Sequence, residues 1–206
     1  MSKLSVVSLF LLGTAALHTA AVADTAKPAP KAAEPKAPAG DKLDAKKMAM
    51  TPPEELATLS KFLVGTWHCE GKVTPAPGVG KTFNSKTNTT WALGLDGFWL
   101  AGAGEGEKVP GQPLPTVGKG ENRISYDRTT KAFVNLSFSN RGAYGMSTSK
   151  GWEGDKLSWT GTTSGLMKTD TRTTITKKSD AEYQVLGERM EAGKWVTGND
   201  ETCKKK

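Results

Sequence analysis

Apolar residues recur at helical spacing over one short stretch, and at every second position almost everywhere after it. Leu56, Leu59, Phe62 and Leu63 form one stripe of a helix. Thr51-Pro52-Pro53-Glu54 ahead of them reads as its start. A threonine can cap free backbone N–H groups, a proline in the first turn has no N–H to leave unpaired, and Glu54 falls where a capping-box acid reaches back. Gly65 is the expected stop. From Thr66 the period becomes two. Trp67, Cys69, Gly71 and Val73 share one face, and Thr66, His68, Glu70 and Lys72 the other. That is a half-buried strand with its apolar face inward.

Strand and turn then alternate to the end of the chain. The pattern predicts strands over 66–74, 81–93, 97–106, 117–126, 132–139, 143–152, 156–162, 168–178, 181–190 and 194–204. Turn chemistry separates them, as in Asp96-Gly97, Asn140-Arg141-Gly142, Glu153-Gly154-Asp155 and Ala192-Gly193. Sequential short strands joined by tight turns imply an all-β antiparallel meander. An open meander of about ten strands leaves two bare edges in water, and closure removes them. The expected fold is an up-and-down barrel of about ten strands, with the short N-terminal helix over one mouth. Closure makes the first and last strands neighbours, and these carry the two cysteines. A Cys69–Cys203 disulfide is expected. If Cys203 faces inward, so by parity do Trp195, Thr197, Asn199 and Glu201. Such a polar lining implies either a hydrated cavity or a bulge that shifts the register.

The N-terminal quarter is different material. Lys3, the apolar run Val6 to Leu17, and Ala21-Val22-Ala23 before Asp24 form a secretory signal peptide over 1–23, too short to span a membrane. No cysteine lies near the cleavage site for a lipid anchor. Residues 24–48 are almost wholly Ala, Pro and Lys and read as a disordered tether. The folded domain then occupies 49–206, with a basic tail. Export, to the periplasm or the exterior, is an oxidising destination in which a disulfide persists. The net charge of +7 loses its meaning once divided. Residues 1–48 hold seven lysines against four acids, and the tail holds three lysines more. Between 49 and 203 there remain 18 basic and 17 acidic residues. The domain is nearly neutral, which gives no support to specific nucleic-acid recognition; the basic ends suit weak contact with anionic surfaces.

The helix followed by Gly65-x-Trp67 resembles the opening of lipocalin-like, or calycin, barrels. More closely, the chain resembles a bacterial domain family of unknown function with that barrel. The matching residues are Pro52 to Glu55, Gly65, Trp67, Leu93-Gly94-Leu95-Asp96-Gly97-Phe98-Trp99-Leu100, Ser125-Tyr126-Asp127 with Lys131, and Glu201-Thr202-Cys203. The resemblance covers the whole folded region and implies a β-barrel without implying an activity. The distantly similar nitrobindins hold haem through a histidine near the C-terminus, and fatty-acid-binding barrels share the general plan. Here the only histidines are His18 and His68, so neither haem nor another cofactor is expected.

No catalytic constellation is visible. Gly78-Val79-Gly80-Lys81-Thr82 imitates the end of a P-loop, but Pro75 stands where the first glycine belongs and no helix follows. Gly102-x-Gly104-x-Gly106 lies inside a strand and reads as close packing. His68 is expected on the outer face beside Glu70, and one histidine with scattered carboxylates is no metal site. Glu105 and Glu107 read as a solvated strand face. The inward candidates are Trp91, Phe98, Tyr126, Phe138, Tyr144, Met146, Trp159 and Tyr183. Arg172 and Arg189 read first as outer-face residues; reaching the interior, they would meet a carboxylate or phosphate. The expectation is a non-enzymatic carrier of a small apolar or amphipathic molecule in the barrel. The alternative is a cell-envelope interaction module without a ligand.

Overall fold

In the computed structural model, residues 51–206 are described, except 114, 115 and 166. The signal peptide, the tether and His18 lie outside the described residues. One helix, α1 (Glu54–Leu63), precedes eleven strands: β1 (Gly65–Val73), β2 (Phe83–Gly94), β3 (Trp99–Gly106), β4 (Lys119–Asp127), β5 (Ala132–Ser139), β6 (Tyr144–Ser149), β7 (Trp152–Glu153), β8 (Lys156–Ser164), β9 (Thr169–Ser179), β10 (Glu182–Glu191) and β11 (Lys194–Lys205). Every pairing is antiparallel. The sheet runs from β6 through β1 to β11 and on to β8, and β6 pairs with β8 to close it. The result is an all-β barrel of ten strands. β7 is a two-residue flap that pairs only with β8. The expected single strand over 143–152 is therefore two, divided at Lys150-Gly151, where Gly151 takes φ +101°.

Closure brings β1 against β11 with Cys69 directly opposite Cys203, and a disulfide joins them. The bond ties the first barrel strand to the last across 134 residues.

The helix covers one end. Leu56, Leu59, Phe62 and Leu63 are buried in a single core with Trp67, Leu100, Ile124, Phe133, Leu157, Trp159 and Tyr183. Phe62 packs on Trp67, Trp152 and Tyr183, with ring centroids 5.3–5.8 Å apart. Trp67 is fully buried, and its indole N–H donates to the Leu63 carbonyl at 2.7 Å. That bond satisfies one of the carbonyls a helix leaves open at its last turn. The helix start differs from expectation. Pro53 is the N-cap and no side chain caps it. Two successive prolines hold the chain extended until Glu54, so Thr51 is too far back; its carbonyl instead accepts from the Arg128 guanidinium.

Candidate functional site

The barrel is filled at the helix end and open at the other. Above the aromatic core lies a cavity of about 250 Å³. Its lower wall is Trp91, Trp159, Tyr183, Ile124, Ile175 and Val185, and its upper wall is Thr87, Thr89, Asn122, Asn135, Ser147, Thr173 and Glu201. Thr87, Thr89, Asn122 and Glu201 also border a wider vestibule of about 670 Å³ between the loops after β1 and β3. These four side chains form the neck between cavity and mouth.

Small residues make the space. Gly102, Gly104 and Gly106 fall on the inward face of β3. A Cβ on Gly102 would lie 2.5 Å from the Trp91 ring, so the indole lies against bare backbone there. A Cβ on Gly104 would lie 3.2 Å from the Thr89 hydroxyl. The glycine spacing that imitates a dinucleotide loop thus empties one wall of the barrel.

The polar atoms are incompletely paired. Glu201 accepts from the Ser85 hydroxyl at 2.7 Å and from the Asn199 amide at 3.1 Å. No basic side chain among the described residues forms an ion pair with it. The Asn135 amide donates to Asn122 Oδ1 at 3.2 Å, while its own Oδ1 is buried without a partner. Trp91 Nε1 lies beside the Tyr183 hydroxyl but is likewise buried without a hydrogen bond of good geometry. Burial, and next the Glu201 carboxylate, push the Tyr183 phenol well above its ordinary value, so it is a neutral O–H.

The last strand carries the bulge that its parity left open. β10 and β11 shift register between Gly187 and Glu188, where Gly198 is the extra residue. Asn199, Glu201 and Cys203 keep the inward face, and Asn199 and Glu201 line the vestibule. Beyond the bulge, Thr197 and Trp195 turn outward, and the Trp195 ring receives the Arg172 guanidinium 4.7 Å from its centroid.

Of the candidate residues, Trp91, Trp159 and Tyr183 line the cavity. Tyr126 faces inward but belongs to the helix-end core, against Phe133 at 5.2 Å. Phe98 lies at the end of the short 3-10 turn before β3, away from the cavity. Phe138, Tyr144 and Met146 correct the inward expectation. Phe133 and Asn135 set the inward parity of β5, so Leu136 and Phe138 point out, and their partners Met146 and Tyr144 across β6 point out with them. The three are 51–59% exposed. Arg172 is also on the outer face, paired with Glu188 across β9 and β10. Arg189 is near the mouth but already engaged: it donates to the carbonyls of Thr74 and Pro75 at 2.7 and 2.9 Å and pairs with Glu191. It anchors the loop after β1 and has little capacity left for an anion.

The outer face carries an exposed polar network. His68 Nε2 lies 3.1 Å from Glu70 Oε1 and Nδ1 lies 3.1 Å from Asn88 Oδ1. Lys86 pairs with Glu70 at 2.8 Å. The Asn88 contact, then that to Glu70, hold His68 above its ordinary value. Among the described residues no three histidine, cysteine or acidic side chains converge as a metal site. Glu105, outward as expected, pairs with Lys119. No described helix is long and apolar enough to cross a membrane.

The closed antiparallel barrel fits a lipocalin-like fold in general terms. No family model and no curated protein matches the chain.

Proposed function

We propose that this protein binds a small amphipathic molecule inside its barrel, without transforming it, in an exported compartment. The observation that carries the reading is one cavity with an aromatic floor and a polar neck that opens into the vestibule at the uncovered end of the barrel. The aromatic floor and hydroxyl-rich neck favour a guest with a flat apolar end and a polar end, rather than a fatty chain. The Cys69–Cys203 bond is compatible with export.

The test is uptake of a neutral fluorescent probe, N-phenyl-1-naphthylamine, alongside native mass spectrometry of protein recovered from its own compartment. Uptake, together with its loss in a folded Thr89→Phe variant that fills the neck, is the expected result. A bare protein that takes up no probe would overturn the reading and leave the envelope interaction module in its place.

A further inference from the structure

Resting on the reading of the cavity as a binding site, the chemistry of its wall identifies the class of guest. Its one charged side chain is a carboxylate, Glu201. A carboxylate offers about four lone-pair sites, and Glu201 uses two of them, on Ser85 and Asn199. No cation lines the inner cavity. Lys86 and Arg141 stand at the vestibule, where Lys86 is paired with Glu70 and Arg141 donates to the Thr116 carbonyl. An anion entering would meet an unneutralised carboxylate in a restricted space. A neutral guest would leave that carboxylate without a counter-charge.

The aromatic wall selects the other end of the guest. Trp91, Trp159 and Tyr183 present three rings to this small cavity. Aromatic pairs are worth about 0.5–1.5 kcal/mol beyond the area they bury. A quaternary ammonium offers no N–H to Glu201, whereas a primary ammonium offers three.

We propose that the cavity selects a small primary amine bearing an aromatic ring, with Glu201 as its counter-ion. Glu201 sits at the neck, so the ammonium is captured at the entrance to the cavity while the ring reaches the aromatic floor.

Three probes of nearly one shape test this by calorimetry on the oxidised protein: tyramine, its alcohol analogue tyrosol, and the anion 4-hydroxyphenylacetate. Tyramine is expected to bind tightest. Tyrosol should be weaker by about 10- to 100-fold, the size of one charge-assisted hydrogen bond, and the anion should be weaker still. In Glu201→Gln, tyramine should fall to the level of tyrosol, while tyrosol changes by less than about twofold. The order of the three probes on the unaltered protein carries the test if Glu201→Gln does not fold. Equal or tighter binding of tyrosol or the anion would overturn the amine assignment and leave the cavity reading intact. So would an unaltered tyramine affinity in a folded Glu201→Gln, or uptake of N-phenyl-1-naphthylamine with none of the three probes bound. If neither the three probes nor the naphthylamine bind, both readings fall together.

Discussion

Removing the Cys69–Cys203 bond, as Cys69→Ala/Cys203→Ala, perturbs the barrel at its point of closure. The two cysteines are 134 residues apart in sequence. Cross-linking a loop of that length removes chain entropy from the unfolded state worth about 5 kcal/mol. Both side chains are buried, at 5% and 1% exposure, so truncating them adds about 1 kcal/mol of lost packing. The native ladder is untouched, because β1 and β11 remain paired from Trp67↔Lys205 to Val73↔Asn199. Nearly all of the loss should therefore fall on the unfolded side. Urea unfolding followed by tryptophan fluorescence should show stability reduced by about 5–6 kcal/mol, with a larger dependence on urea because the unfolded chain opens further. Folding should slow while unfolding changes little. A loss below about 1 kcal/mol would refute the entropic argument. A loss carried wholly by faster unfolding would show that the bond acts on the folded barrel instead.

Two further expectations concern the walls. Gly71→Ala and Gly161→Ala would place a Cβ 2.0 Å from the Asp200 carbonyl oxygen and 2.1 Å from that of Met146, on the two strand pairs that close the barrel. Each should cost about 3 kcal/mol or more, read as a fall in Tm, whereas Gly94→Ala, with open space around it, should behave as wild type within about 0.5 kcal/mol. The raised value of His68 sets the sign of a pH effect. Its contribution is fully present below its unfolded value, about 6.5, and is lost as pH rises through the higher folded value. Stability should decline across that window, and His68→Gln should flatten the decline; an identical pH profile in the variant would remove His68 as its source.

What the sequence made legible follows from where hydrophobicity and parity agree. In β1 the apolar residues Trp67 and Cys69 fall on one parity, and the structure keeps them inward. The turn residues between strands are local chemistry and place the element boundaries within a few positions. β5 is where the signal fails. Phe133, Val134, Leu136 and Phe138 occupy both parities, so apolar character cannot choose a face. The structure resolves this by burying Phe133 at the helix end and facing Asn135 and Ser137 inward. The mouth half of the barrel is polar inside and partly apolar outside, the reverse of the usual assignment, so aromatics chosen for the interior on chemistry alone, such as Tyr144, were misplaced. Spacing from Cys203 places Glu201 inward, as the structure does. Its pairing with Ser85, 116 residues earlier, exists only once the barrel is closed.

The described chain begins and ends at the same pole. Thr51 is held by Arg128 in the turn after β4, and the Lys206 amide donates to the Thr66 carbonyl at the start of β1. Both positions are at the helix-covered end, and the vestibule lies at the opposite one. The molecule is therefore vectorial, a cup with both handles on its base. A support, a fusion partner or a surface that grips residue 51 or residue 206 directs the opening outward and leaves diffusion into it unobstructed. An attachment grafted into the loop after β1 would turn the same cup face down.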